Sequence, residues 1–490
     1  MITALLAIAF IVLSVAMVLN VPAGLAYIRR ATPRQKLLAF AWFAMFIGQA
    51  QIIAHDASFT GIGSLQGGRV YQLLWMFIAG IVSLQLVLTS KMVKGAWRFA
   101  IIALLAYCFF AIASAAFSPA KALTLYKSAQ VIIDAFLVLV SCSELIRARS
   151  PNFLVDLTLT LVALLLLGVV AGGLFVPDSA FIANEGALGK SLRGVVPAIH
   201  PNELGLMAAI GLIVGLVRTI NPSYGKLRRL LWAALVVAGF VVLFLAQART
   251  SLAGAALAVI LSGFLLKKLR PLSWTILVAS IAVVAYYQLG GGGLGIEDEV
   301  TLYVTRGVSE EHIKNLSGRT ELWAAGWEMF KDAPLFGHGF AAGVRMLGPE
   351  YGIPFGINMH SSHMQVLVDV GLVGYLAWLA FVISASVIIF RNISESPQRS
   401  AGRYRAAEAG LVVFVILFRS FLGHVLVTHQ YNLMIFLSIY IYAVVSEALK
   451  QANTEARAAA ASNQEPSLGR YGDGRILARK SSPRPAGHGH

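Results

Sequence analysis

The chain is a succession of apolar runs about twenty residues long, separated by short polar segments. Residues 153–175, FLVDLTLTLVALLLLGVVAGGLF, hold a single charged side chain, Asp156. A helix rises about 1.5 Å per residue, so about 20 mostly apolar residues cross the hydrocarbon of a bilayer. Backbone groups find no water there. Such a run must therefore satisfy its own amides as a helix, or pair in a closed barrel of strands only about 9–11 residues long. Runs of this length select helices. About thirteen qualify: residues 3–28, 37–54, 70–90, 97–117, 122–145, 153–176, 202–220, 229–248, 250–266, 272–289, 362–390, 405–425 and 430–448. Asn20 and Pro22 interrupt the first, and only a very short turn joins the two runs between 229 and 266. The fold class expected is an all-α polytopic membrane protein of about 12–13 transmembrane helices with a large loop on one side.

Composition agrees. Of 490 residues, 58% are apolar and 13% charged; a soluble domain has about 45–50% and 25%. The formal net charge of +16 would suggest nucleic acid on a soluble chain. On a membrane chain it reads first as topology, because Lys and Arg gather on the cytoplasmic side. If the C-terminus is cytoplasmic and spans alternate, each short inner loop receives a basic cluster: Arg29, Arg30, Arg34 and Lys36; Lys91, Lys94 and Arg98; Arg147 and Arg149; Arg218, Lys226, Arg228 and Arg229; Lys267, Lys268 and Arg270; Arg391, Arg399, Arg403 and Arg405. With seven more in the tail, 27 of the 39 basic residues lie inside. An even span count breaks this agreement, so an odd count with the N-terminus outside is expected. The apolar N-terminus lacks a basic leader and an A-x-A cleavage site, and is expected as a retained helix. Cys108 and Cys142 both lie within apolar runs and are expected as buried free thiols.

The domain division expected is N-terminal helices over 1–176, an outer loop over 177–201, helices over 202–289, a 71-residue outer loop over 290–360, C-terminal helices over 361–449 and a disordered cytoplasmic tail over 450–490. Loops this long in compact proteins are usually functional. The large one opens with Gly290–Gly293 and the acidic Glu297, Asp298 and Glu299. Within it the spacing predicts a helix capped by Ser317, with an apolar face of Leu322, Trp323, Trp327 and Phe330, ended by Pro334, Gly337 and Gly339.

Eight of the ten histidines fall on the outer side or at outer span ends, His200, His338, His360, His363, His424 and His429 among them. Arg193, Arg249 and Arg419 stand at outer membrane entrances. A guanidinium near hydrocarbon costs at least about 2.5 kcal/mol unless it is paired or faces a wet cavity, and arginine grips phosphate bidentately. His360 and His363 share a helix face at i and i+3, but no third ligand follows at zinc spacing, so no metal site is expected. A neutral histidine at a cavity mouth suits a general base. Asp369 lies about 13 Å deeper along the same helix, where a carboxylate needs a partner.

The run HSSHMQVLVDVGLVGYLAWL resembles the signature of the O-antigen ligase and O-antigen polymerase superfamily: a His and a small polar pair, then a carboxylate and a G-x-x-G-like end. GRTELWAAGWEMFKDAPLFGHGF, QARTSLAGA and LRGVVPAIHPNELG resemble further family segments, so ordered likeness extends over residues 190–385. The last three lean toward the exopolysaccharide-polymerase type. The resemblance implies a GT-C-like glycosyltransferase of the bacterial inner membrane, N-terminus periplasmic and C-terminus cytoplasmic. It would transfer glycan from an undecaprenyl-diphosphate-linked donor to a sugar hydroxyl at the periplasmic face, with no cofactor and no metal. By position, His360 matches the catalytic histidine, Arg193 and Arg249 the diphosphate-binding arginines, and Arg319 the loop arginine. Arg249 is then also catalytic through its charge, and Arg419, His363 and Asp369 are added as substrate-binding residues. The acceptor would be a lipid-linked glycan or lipid A-core. A chain-length regulator and a flippase are the protein partners expected, with the bilayer as surroundings and no nucleic acid. This chain departs from the family in the extra Ser362-His363, an additional N-terminal span and the long tail. Two alternatives stay open: a ligase joining finished polymer to lipid A-core and, more distantly, a polysaccharide transporter or flippase.

Overall fold

The computed structural model describes residues 2–49, 68–183, 188–288, 318–398 and 400–462, with side-chain surroundings described for all of these except 20–28, 68–70, 94, 283–288 and 461–462. Each expected span coincides with a helix: α1 (Ile2–Arg30), α2 (Pro33–Ile47), α3 (Gly68–Thr89), α4 (Phe99–Ala113), α5 (Lys121–Arg147), α6 (Phe153–Phe175), α7 (Pro201–Ile220), α8 (Lys226–Ala246), α9 (Arg249–Leu265) and α10 (Arg270–Gln288), then α13 (Ser362–Ser394), α14 (Ala401–Phe421) and α15 (Tyr431–Ser462). In the large loop lie α11 (Arg319–Asp332) and the short α12 (Gly343–Leu347). The only strands among the described residues, β1 (Phe181–Ala183) and β2 (Lys190–Leu192), pair antiparallel in the loop between α6 and α7.

By length and apolarity together, nine of the described helices can cross a membrane. Four of the thirteen are not among them: α10, whose side-chain surroundings are described only to residue 282, and three short or charged elements. α2 and α9 have 15 and 17 residues, and α14 carries Arg403, Arg405, Glu408 and Arg419. Two local expectations give way. α1 runs unbroken through Asn20 and Pro22; a proline is tolerated within a membrane helix when neighbours satisfy the freed carbonyl. The tail expected as disordered from 450 is helical to Ser462, because its NTEARAAAAS sequence is rich in alanine, the strongest helix former. Residues 463–490 lie outside the described residues. Chain contacts separate Met1–Ala448 from Leu449–His490.

Burial sorts the helices. α5 and α7 are largely enclosed, whereas α1 and α3 turn most of their surface outward. Large apolar side chains such as Phe77, Leu88, Phe109 and Phe264 are exposed, as expected where the surrounding solvent is lipid. Several of the charged groups inside are paired. Glu144 holds Arg34 and Arg147, each at 3.1 Å. Glu447 holds Arg98 at 3.5 Å and also Arg391. The buried Arg218 and Glu408 form a quartet with Arg405 and the partly exposed Asp156, with N–O distances of 2.7–3.0 Å. Asp134 meets His429 at 2.8 Å. Every arginine–carboxylate pair in this set joins basic residues that the charge pattern assigns to the same side. Both cysteines are free and buried, as expected.

The element that shapes the site is a break in α13. Gly371 has φ 69° and ψ −173°, a backbone state open to glycine alone. Here the helix exchanges hydrogen bonds with the loop segment Pro334–Gly339. The amides of Leu372 and Val373 donate to the carbonyls of Pro334 (2.8 Å) and Leu335 (3.3 Å). In return, those of His338 and Gly339 donate to Val368 (3.0 Å) and Asp369 (2.8 Å). The two chains approach so closely that a Cβ on Gly371 would lie 2.3 Å from the Leu335 oxygen, and one on Gly337 would lie 2.5 Å from the Asp369 backbone.

Candidate active site

The described part of the large loop has its own core. Met329, Val344, Ile353, Met359 and Val368 are buried together, with Leu322, Ala325, Phe330 and Met364 packed around them. The helix predicted there exists, and of its expected apolar face Leu322, Trp323 and Phe330 turn toward this core while Trp327 does not. Gly326 and Met329 also face in, while Trp327 is half exposed, its ring tilted against that of Phe330 at 5.1 Å. Gly326 sits close on Met359, where a Cβ would come within 2.8 Å of the Met359 methyl. Ser317, expected as the cap, lies outside the described residues, as do Gly290–Gly293, Glu297, Asp298 and Glu299. Gly318, with φ 78°, occupies the cap position.

This small core fastens the residue before His360. The Trp323 indole donates to the Met359 carbonyl (2.8 Å), and the Met359 amide donates to Gln365 Oε1 (2.9 Å). His360 itself is half-buried with φ 46°, and its amide donates to Asn358 Oδ1 at 3.0 Å. A left-handed non-glycine residue is rare and clusters at functional positions. α13 begins two residues later. Ser362 Oγ donates to the Gly423 carbonyl (2.9 Å) and accepts from the Val425 amide (3.1 Å), which ties the start of α13 to the chain just beyond Arg419.

Around His360 the structure gathers cations from distant parts of the chain. Arg319 (first residue of α11), Arg419 (last turn of α14) and His200 (cap of α7) are all within its electrostatic reach. Arg249, first residue of α9, stands within reach of Arg319. Glu203, in the first turn of α7, is the carboxylate facing Arg419. Four helices start at this cluster and two, α8 and α14, end there. Burial, then Arg319, Arg419 and His200, hold the His360 imidazole down at about 4; it is therefore neutral at pH 7. Burial and Arg249 likewise lower Arg319.

Arg419 is 4% exposed. Its Nη1 donates to the Leu422 carbonyl, while Nε is buried with no hydrogen-bond partner. Among the described residues no carboxylate lies at ion-pair distance from it. A buried cation left partly unsatisfied is costly.

A notch explains how Arg249 arrives. α8 ends at Ala246, Gln247 takes a left-handed conformation (φ 50°), and α9 starts at Arg249. The turn seats against Gly205 of α7, where a Cβ would meet that of Ala248 at 2.2 Å. Gln247 Nε2 donates to the Lys190 carbonyl (2.8 Å), tying the turn to the β1–β2 loop. The HPNELG and QART segments thus form one joint.

The structure places three expected site residues in surroundings other than the arginine group. Arg193 follows β2 and turns its Nε to the Ser179 carbonyl at 3.4 Å; among the described residues, no interaction brings it into the arginine group. The His363 ring stacks on Phe421 (4.6 Å between centroids), meets Trp378 edge-on and hydrogen-bonds the Tyr375 hydroxyl at 3.1 Å. Sharing a helix face with position 360 did not bring the two imidazoles to one task, because residue 360 precedes the helix. Asp369 is fully buried; its carboxylate accepts from the amides of Ala341 (3.0 Å) and Val344 (3.4 Å) and from Gln365 Nε2 (2.8 Å). It holds the loop down rather than facing a ligand. Conversely, sequence reasoning left out His200, Glu203 and, farther along, Lys127, Arg345 and His424. The available signal was their place among the outer polar residues.

The fold and site define an all-helical multipass membrane protein with a cation-rich site where several helices begin. Residues 234–379 match the family described as O-antigen ligase, which supports the O-antigen ligase and polymerase superfamily. The match takes in Arg249, Arg319 and His360; Arg419 and the start of α7 lie outside it. No curated relative matches the chain.

Proposed function

We propose that the protein transfers a glycan from undecaprenyl diphosphate to a sugar hydroxyl at the periplasmic face, and that it polymerises exopolysaccharide or O-antigen repeat units. The observation that carries this reading is a neutral His360 gathered with Arg319 and with a buried Arg419 whose Nε has no hydrogen-bond partner. The donor's leaving group is a diphosphate. Arg249, Arg319 and Arg419 would neutralise its growing charge as the bond from the anomeric carbon to the phosphate oxygen breaks, a preorganised electrostatic role. His360 would take the proton from the acceptor hydroxyl as its oxygen bonds to the anomeric carbon. Undecaprenyl diphosphate leaves and the proton remains on the imidazole until water removes it. Asp369, Gln365 and Trp323 act at one remove, by placing the loop and His360. This scheme asks nothing of a metal or a nucleotide sugar. The lean of the RGV…HPNELG, QART and GRTELW segments favours a polymerase; a ligase would use the same chemistry with lipid A-core as acceptor.

Purified protein in detergent, given a synthetic undecaprenyl-diphosphate-linked repeat, should make a ladder of longer glycans, which a pure transporter would not. His360→Ala and Arg249→Ala should each abolish long glycan at normal protein level. If both variants still make full-length polymer, the assignment is wrong. A deletion strain should accumulate single lipid-linked repeats; long lipid-linked polymer there would point to the ligase instead.

A further inference from the structure

A second group of cations adjoins the first. Lys127 on α5 and Arg345 on α12 lie within electrostatic reach of each other, and both within reach of His424 in the segment between α14 and α15. His424 is also within reach of His360, so the proposed base is the member both groups share. All three side chains are half-buried. Lys127 Nζ donates to Gln130 Oε1 at 3.2 Å and lies 5.3 Å from the centre of the Tyr126 ring. Among the described residues, the Arg345 guanidinium has no hydrogen-bond partner and no carboxylate at ion-pair distance, and neither does Lys127 have a carboxylate there.

The group is built, not a chance of loose surface side chains. Thr124, one turn before Lys127, donates to the Phe340 carbonyl at 3.0 Å, and the Phe340 amide donates to Ser114 Oγ at 2.9 Å. These bonds lock the outer end of α5 to the loop that carries Arg345. Asp369 caps the start of α12 through the Val344 amide. It is the carboxylate facing Arg345, but its oxygens are already taken by two amides and Gln365. On the other side, Gln430 Nε2 meets His424 Nδ1 at 3.0 Å while the Gln430 amide oxygen is buried without a partner. Two half-buried cations drawn together without a free counter-charge repel each other. That arrangement is relieved by an anion. Burial, Arg345 and Lys127 press His424 down to about 3, which agrees with an uncompensated positive field. The donor's diphosphate is already served by Arg249, Arg319 and Arg419, so this second field is left for the other substrate.

We propose that Lys127, Arg345 and His424 form a second anion subsite that holds a carboxylate or phosphate carried by the acceptor glycan, and so brings the acceptor hydroxyl to His360. It rests on the donor reading given above. A neutral acceptor would have no use for these charges, so the natural acceptor is an acidic glycan.

The test uses the full chain in detergent micelles. With undecaprenyl diphosphate saturating, glucuronate and glucose are followed by saturation-transfer NMR, and inorganic phosphate by ³¹P line broadening. Glucuronate, phosphate or both should bind and glucose should not; which anion binds more tightly identifies a carboxylate or a phosphate as the natural group. Lys127→Met and Arg345→Met should each weaken anion binding at least tenfold while undecaprenyl diphosphate affinity stays within twofold. Arg345→Lys should retain binding within threefold, which separates lost charge from lost fold. If undecaprenyl diphosphate binds but neither anion does, or if anion binding ignores both variants, the subsite is refuted and the donor site stands. If undecaprenyl diphosphate itself does not bind, the donor reading fails and the acceptor assignment falls with it.

Discussion

Replacing Gly371 by alanine tests how the loop is held over the site. The new Cβ would sit 2.3 Å from the Leu335 oxygen and 2.5 Å from the Phe336 nitrogen. Both are backbone atoms, so the loop must withdraw. The native φ of 69° with ψ −173° would itself cost an alanine about 1–3 kcal/mol. If the strain is relieved by straightening α13, the amides of Leu372 and Val373 return to their helical partners. The loop alone then loses its four exchanged bonds, each worth about 0.5–1.5 kcal/mol net. Either route weakens docking by roughly 2–5 kcal/mol, and 1.4 kcal/mol is tenfold in a population. Hydrogen exchange of residues 334–345 in detergent should therefore accelerate at least about 30-fold, and glycan transfer should fall with it, because Arg319 and His360 ride on this loop. Gly352→Ala is the control. Gly352 has φ 78° but open space around its Cβ position, so it adds strain without a backbone clash and should loosen the loop far less. Unchanged protection at the His338 and Gly339 amides in Gly371→Ala would refute the reasoning.

Two further outcomes follow from charge. His360 is held at about 4, below its ordinary 6.5, so kcat/KM should stay level from pH 8 down to about 5 and fall below that; the acid limb of kcat should lie higher, since a bound diphosphate offsets Arg319 and Arg419. A kcat/KM limb at 6.5 would contradict the described environment. The same shift means the unfolded chain takes up this proton first, so the group's contribution to stability is complete above pH 6.5 and is lost as pH falls toward 4. Removing Glu408 should leave Arg218 and Arg405 sharing Asp156 alone. Breaking a buried pair in this way costs about 3–5 kcal/mol, so Glu408→Ala should melt several degrees lower in detergent, while transfer per folded molecule is unaltered. An unchanged melting temperature would mean the quartet contributes nothing to the bundle.

The length and position of the helices were legible in the sequence because both are local properties. A run long enough to cross hydrocarbon declares itself without its neighbours, and basic loops declare which ends lie together. The presence of arginines and histidines at those ends was legible for the same reason, and so were the small residues that let segments touch. Which of these groups meet was not. Arg249, Arg319 and Arg419 are widely separated in sequence and converge through the Gly205 notch, the Gly326 seat and the Gly371 exchange, contacts between backbones that no periodicity encodes. His360 and His363 looked equivalent by spacing; only the left-handed turn before α13 gave one to the arginines and the other to Phe421, Tyr375 and Trp378. Asp369 looked like a group awaiting a ligand, and the packed loop instead supplied two amides to its carboxylate. A sequence names the charges that a membrane protein has taken the cost of keeping. Tertiary packing decides whether each charge is spent inside the protein, as in the Asp156–Glu408 quartet, or left partly unsatisfied, as at Arg419, because in a low dielectric the difference depends on contacts of a few ångströms.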